Sequence, residues 1–267
     1  MYKIILVSGV EATQFLQGQL TQDVELLTES RCLPAAWCNA QGRVILTLQM
    51  LAVGNDYGLV LPQDIADAAM ARLEMYRLRA KVTFRFAEPG WQSFATTSAA
   101  MPNDALPGVW RSDLDAHEAA VEIVASTGAE SLPATLPRLD EDAWRRARIE
   151  AGRVDINAAN TALYTPHMLN LDLIGAISFR KGCYTGQEVV ARTENLGRSK
   201  RRTFRYHCEA KDLRIGETLR DGDADAGVIV NACGNELLAV LSLAAAGRPL
   251  QIRGTAAMPQ PLPYDVA

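Results

Sequence analysis

Residues 178–190, SFRKGCYTGQEVV, gather several reactive groups into a short stretch. Cys183 stands between Gly182 and Tyr184, with Arg180 and Lys181 before it and a second glycine, Gly186, after it. Thr185 followed three residues later by Glu188 has the spacing of a capping box, which predicts a helix continuing through VVARTEN. Cys183 then lies just outside a helix N-terminus. The unpaired backbone N–H groups there, with the two neighbouring cations, favour thiolate over thiol, the form that attacks electrophiles or binds soft metals. The glycines permit an unusual turn or the close approach of a ligand. A nucleophile, a metal or cluster ligand and a redox thiol all fit this pattern, as does a small packed cysteine in a strand-to-helix turn.

The charge around this stretch is lopsided. Residues 180–205 carry eight basic side chains against two acidic ones, a local balance of +6 that leaves −10 for the rest of a chain whose formal net charge is −4. Such polarity suits an anionic partner (a phosphate backbone, a polyglutamyl tail or an acidic protein) and equally suits a solvated linker. Few aromatics interleave the run, which argues against stacking on single-stranded bases. Trp144, in DEDAWRRARIEAG, suits either stacking on a flat heteroaromatic ligand or anchoring a core.

Other chemistries are excluded by spacing. DGDADAG opens like a calcium loop with Asp221, Asp223 and Asp225, but Ala226 and Ala232 stand where glycine and glutamate are needed. Ser178 and Lys181 form S-x-x-K without its companion motifs, and no P-loop or G-x-G-x-x-G is present. The five cysteines, Cys32, Cys38, Cys183, Cys208 and Cys233, are odd in number and lack short paired spacings, so no disulfide framework is expected. With only three histidines, far apart, a self-contained zinc site is not expected either, although Cys183 stays open to a shared or transient metal centre. The overall acidity argues against a protein that coats nucleic acid with its whole surface. No apolar run approaches the roughly 18–20 residues of a membrane helix. The start, MYKIILVSGV, lacks the parts of a signal peptide, so a cytoplasmic protein is expected.

The elements that must position these residues read as an α+β body to about residue 200 and an all-β unit after it. A strand at 2–8 is followed by a short helix with Phe15, Leu16 and Leu20 on one face, then a hairpin turning at 39–42 and a strand in YGLVLP. A helix is predicted over 63–78, with Asp64 and Asp67 early and Arg77 and Arg79 late to suit its dipole, leading to a strand at 81–86. Residues 87–137 read as turns with one weak strand, AAVEIVAS. DEDAWRRARIEAG is a short helix with Gly152 as its C-cap. After residue 200, short strands alternate with Gly, Asp and Pro turns, which predicts a small β-barrel or sandwich.

The blocks FLQGQLTQDV, AAWCNAQGRV, WRRARIEAGRVDI, YTPHMLNLDLIGAISF and SFRKGCYTGQEVVAR, with the ending PLPYDVA, occur in the order found in one family. The chain resembles the YgfZ-type folate-binding proteins, which include bacterial tRNA-modifying proteins and mitochondrial iron–sulfur assembly relatives, and whose signature is K-G-C-Y-x-G-Q-E. That family is related to the T-protein (aminomethyltransferase) of glycine cleavage. The resemblance implies a T-protein-like fold of interleaved α+β subdomains over residues 1–200, with 46–135 the inserted one. A small C-terminal β-barrel follows at 201–267, and the parts form a ring around a folate channel. It implies tetrahydrofolate or a derivative as ligand and Cys183 as the signature thiol near the channel mouth, with Lys181 beside it. Folate contacts are implied for Trp144, Tyr2, Tyr184, Gln187 and Glu188. Tyr2 departs from the pattern, because the family carries a second tryptophan near its first strand. Leu46 and Thr47 replace the aspartate pair of the T-protein enzymes, so aminomethyl transfer through a carboxylate at these positions is not expected, while folate binding is. The implied partners are folate, iron–sulfur enzyme clients and tRNA, the last through Arg198, Lys200, Arg201 and Arg202. A folate-dependent transferase with a different base and a simple tRNA-binding module are the rival readings.

Overall fold

The computed structural model describes residues 2–101, 104–114, 120–127, 129, 132–133, 135–197 and 199–266. The chain begins with β1 (Tyr2–Ser8) and α1 (Ala12–Gln19), then β2 (Leu33–Cys38), β3 (Val44–Val53), β4 (Asp56–Pro62), α2 (Gln63–Arg77) and β5 (Thr83–Phe86). These five strands form an antiparallel sheet in the order β2-β3-β4-β1-β5. Successive side chains on a strand point to opposite faces. In β1, Ile5 and Val7 therefore pack against Phe15 and Leu16 of α1 and Ile65 and Leu73 of α2, while Ile4 and Leu6 face the other way. Burial on both faces explains the unbroken IILV run.

That second face meets another sheet. Residues 87–137, expected to be turns with a single strand, in fact contain β6 (Gln92–Thr97), β7 (Val109–Asp113) and β8 (Ala120–Ala125), paired in the order β6-β8-β7. Trp110 and Val124 from this sheet pack on Ile4, Leu6, Leu51 and Val60. Two of the three strands are short and half polar, QSFATT and VWRSD, so little alternation marks them.

The helix α3 (Glu141–Glu150) follows, with Asp140 as N-cap accepting from the Ala143 N–H at 2.8 Å and Gly152 in the left-handed region just beyond its end. A long loop leads to α4 (Gln187–Leu196). The remaining strands, β9 (Arg201–Cys208), β10 (Thr218–Asp221), β11 (Ala224–Cys233), β12 (Glu236–Ser242), β13 (Leu250–Ile252) and β14 (Thr255–Gln260), close into a barrel in the order β10-β11-β12-β9-β14-β13. Along β12, Leu237, Ala239 and Leu241 fill the barrel, while Leu238 and Val240 pack outward on Val44, Ile149, Ile156 and Leu169. The barrel is thus mounted on the end of the β2–β3 hairpin and on α3. No helix among the described residues is long and apolar enough to cross a membrane.

Candidate functional site

Where β1, the start of α2, α3 and the barrel meet, the protein forms a cavity of about 670 Å³. Its wall is built from several elements. Tyr2 opens β1, and Trp144 and Arg148 lie one helical turn apart on the buried face of α3. Asp155 follows α3, and Asn231 comes from β11, where a bulge between Ile229 and Asn231 shifts the register. Asn231 reads the backbone of Asp155 in both directions, accepting from its N–H and donating to its carbonyl, each at 3.0 Å.

Tyr2 and Trp144 pack ring against ring, with centroids 4.9 Å apart. Beneath them the Arg148 guanidinium is shared by two carboxylates. Its Nε and Nη2 donate to Asp155 at 2.9 and 2.8 Å, and its Nη1 donates to Glu122 of β8. Glu122 also accepts from the Trp144 indole N–H at 2.8 Å and from Gln49 Nε2 at 3.0 Å. Asp155 accepts the Tyr2 hydroxyl at 2.6 Å. Burial works against the Arg148 charge, but the Asp155 and Glu122 carboxylates more than offset it and hold the guanidinium protonated, while burial pushes the Tyr2 phenol up. Acidic (Asp64, Asp67, Asp155) and basic (Lys3, Arg148, Arg153) side chains both line the cavity, so its wall offers donors as well as acceptors. An aromatic face beside such a wall suits a flat ring with polar groups on its edge.

Sequence reasoning missed Glu122, Arg148 and Asp155. The positions it marked as lacking carboxylates serve the frame instead. Leu46 is buried in the core under α1 and α2. Thr47 Oγ1 donates to the Val154 carbonyl and accepts from the Ile156 N–H, both at 3.0 Å, which fixes the segment carrying Asp155. Behind the wall, a pocket of about 20 Å³ bordered by Thr47, Gln49, Ser112 and Glu122 has room for about one water.

The signature turn lies elsewhere. Cys183 is exposed, whereas the other four cysteines are buried. Four hydrogen bonds hold its loop to the end of α1 and the residues after it. Lys181 Nζ donates to the carbonyls of Leu20 and Gln22 at 2.7 and 2.8 Å, Ser178 N–H to Thr21, and Thr185 N–H to Gly18. Burial lowers the Lys181 ammonium to about 8. Lys181 is therefore an anchor of the loop, with its ammonium directed at these carbonyls.

The expected capping box of Thr185 and Glu188 does not form. Gly186 is the N-cap of α4, at a left-handed φ of 83°, and Gln187 reaches back to accept the Tyr184 N–H at 3.0 Å. Glu188 is left exposed and Tyr184 is buried under Lys181, whose Nζ sits 5.4 Å from the ring centroid. Cys183 thus precedes the first helical residue by four positions and does not sit on the helix end. The structure brings Tyr2 and Trp144 together, but none of Lys181, Cys183, Tyr184, Gln187 and Glu188 lines the cavity.

The basic segment also divides. Arg202 is turned inward, donating to Asp172 at 2.6 Å and to the His167 carbonyl at 2.9 Å, and Arg205 is buried between Glu150 and Glu236. Arg202 is thus not offered to a partner. Lys200 and Arg201 are exposed, and Arg198 lies outside the described residues. His167, Asp172 and Glu194 place potential metal-ligand atoms within 4.8 Å of one another, but Asp172 already neutralises Arg202 and Glu194 already meets His167 Nε2 at 3.0 Å.

No family model matches the chain. It is 30% identical over 259 residues to the tRNA-modifying protein YgfZ of Klebsiella pneumoniae, covering 90% of this chain and 79% of that protein. It is 31% identical over 218 residues to the tRNA-modifying protein YgfZ of Colwellia psychrerythraea, covering 75% of this chain and 67% of the relative. Among solved structures it is similar to the glycine cleavage system aminomethyltransferase T from Bartonella henselae, with a TM-score of 0.75 over 98% of this chain and 83% of that one. At 20% identity, that likeness establishes the aminomethyltransferase-like fold.

Proposed function

Since the chain belongs to the YgfZ family of tRNA-modifying proteins, we propose that its role in tRNA modification is that of a cytoplasmic tetrahydrofolate-binding accessory protein that supports assembly or repair of iron–sulfur enzymes. The observation that carries the folate assignment is the Tyr2–Trp144 ring pair above the buried Glu122–Arg148–Asp155 wall. The pyrimidinone ring of a reduced pterin is flat and carries hydrogen-bond donors and acceptors along its edge, which complements an aromatic face beside charged side chains of both signs. The cavity volume falls within the range of about 300–1,000 Å³ usual for sites of small ligands.

Calorimetry with tetrahydrofolate tests this directly. Binding is expected to weaken about tenfold or more in Trp144→Ala, since a ring pair contributes about 0.5–1.5 kcal/mol beyond its buried area, and the indole area is lost as well. Absence of binding by the intact protein would overturn the assignment.

A folate-dependent transferase using a different base is the second reading, because Asp155 brings a carboxylate to the cavity, with Glu122 behind it, where Leu46 and Thr47 bring none. Every oxygen of both carboxylates is already engaged by Arg148, Trp144, Gln49 or Tyr2, which suits holding a ligand better than moving a proton. The iron–sulfur role rests on Cys183, exposed on an anchored turn. In a strain lacking the homologous protein, Cys183→Ala is expected to leave iron–sulfur enzyme activity unrescued while its folate affinity in vitro stays at the parent value. Full rescue by that variant would remove the thiol from the proposal.

A further inference from the structure

Some exposed cations on this protein are paired, as in Arg85–Glu88, Arg145–Glu141 and Arg248–Asp221, and others stand singly. Around the signature turn several stand together. Arg180, Arg192, Lys200 and Arg201 are all exposed, and among the described residues none of their side chains makes an ion pair or hydrogen bond. Of the acids near them, Glu194 is engaged by His167 and Asp172 by Arg202, while Glu188 is exposed. Large apolar side chains lie exposed in the same region: Phe179 at 46%, Leu173 at 38% and Leu196 at 84%.

Contacts join Phe179, the end of α4 and the start of β9. Phe179 packs near the His167 ring at 6.3 Å, and His167 meets Glu194 of α4, two residues before Leu196. Arg202 ties the start of β9, and with it Lys200 and Arg201, to His167 and to Asp172 beside Leu173. Cys183 lies in the same stretch, between Phe179 and α4.

We propose that the turn carrying Cys183, together with α4 and the entry to β9, is the docking surface for an acidic protein segment that seats an apolar side chain by Phe179 and brings its own sulfur chemistry to Cys183. Unpaired cations around exposed apolar groups match the charged rim and apolar centre of a protein interface. A phosphate backbone would use the cations but leave Leu173 and Leu196 without a partner, so the surface favours protein over RNA. This inference extends the role proposed for Cys183. None of its residues lines the folate cavity, so its test is made without folate and stands or falls separately.

Because the other four cysteines are buried, exchange chemistry reports on Cys183. The probes are synthetic peptides with one cysteine held as a mixed disulfide with thionitrobenzoate and flanked by Leu and Glu, by Gly, or by Leu and Lys. Attack by the Cys183 thiolate forms a protein–peptide disulfide and releases the coloured thionitrobenzoate anion, so sulfur and charge balance. Cys183→Ser should abolish the release. The Leu–Glu peptide is expected to react about tenfold faster than the Gly peptide at low salt, with the Leu–Lys peptide slowest, and salt should erase most of the difference. The double variant Arg180→Gln, Arg201→Gln should remove the acidic advantage. Phe179→Ala should slow the Leu–Glu peptide and leave the Gly peptide unchanged. Equal rates for acidic and basic peptides would overturn the proposal. So would a single-stranded RNA oligonucleotide that shields Cys183 at a lower concentration than the cysteine-free Leu–Glu peptide does.

Discussion

Replacing Arg148 with methionine is expected to destabilise the protein by about 3–5 kcal/mol, the loss typical of breaking a buried ion pair by removing one partner. The change strands two carboxylates, Glu122 and Asp155, in a wall where their shared cation was 8% exposed, and leaves them to repel each other. The effect extends beyond one contact because the network spans the architecture. Glu122 comes from β8, Tyr2 from β1, Arg148 from α3, and Asn231 of the barrel holds Asp155. Against a typical total stability of about 5–15 kcal/mol, this is a large share. Urea unfolding measures it, and a loss below about 1 kcal/mol would show that the carboxylates find other partners or take up protons cheaply. Where Arg148→Met does not fold, Arg148→Lys serves in its place. It keeps a charge but cannot span both carboxylates, so it should fold with a smaller loss and still bind tetrahydrofolate less tightly than the parent.

That network was the least legible part of the site. Tyr2 came from resemblance, and Trp144 was open to stacking or to a core role, but nothing local distinguishes Arg148 from Arg145 and Arg146 in WRRARIE. Only the one-turn spacing from Trp144 places it on the buried face of α3. Glu122 did leave a signal, an acid inside AVEIVA, where all six positions are buried. A carboxylate in such a strand needs a cationic or donor partner, and that need points to a buried arginine. Asp155, flanked by the buried Val154 and Ile156, carries a weaker version of the same mark.

The fold was legible where pattern and packing agree. β1, α2 and the barrel strands bury regular faces, and the expected helix over 63–78 is α2 at Gln63–Arg77. The sheet of β6, β7 and β8 was not, because its strands are short and half polar, and β6 pairs with β8 rather than with its sequence neighbour β7. The capping box misled for a different reason. Thr185 and Glu188 have the correct spacing, but Gly186 takes the left-handed conformation that starts α4 one residue later, and conformation rather than residue type decides the cap.

The same glycine gives the sharpest test of the signature turn. Gly186→Ala is expected to destabilise the protein by more than the about 1–2 kcal/mol that a left-handed conformation costs a residue with a Cβ. A Cβ there would sit 2.3 Å from the Asn39 carbonyl oxygen and 3.1 Å from Gly42 Cα, both backbone atoms of the β2–β3 turn. Gly42 is itself left-handed, with its own Cβ position blocked by Val189 of α4, so the two turns cross where neither can carry a side chain. Relief of the clash must move either the β2–β3 turn or the loop bearing Cys183. Gly186→Ala should therefore lower the urea midpoint and also change the rate at which Cys183 exchanges with a small neutral disulfide. Gly182→Ala is the control, because its Cβ would meet nothing within 4 Å, and its stability should stay within about 0.5 kcal/mol of the parent. If Gly182→Ala keeps stability and small-molecule exchange but slows the acidic peptide, the first glycine is needed for the partner's close approach to Cys183, and only the second for the fold. A Gly186→Ala protein as stable as the parent would mean that the crossing yields, and that the turn is not the rigid mount for Cys183 described above.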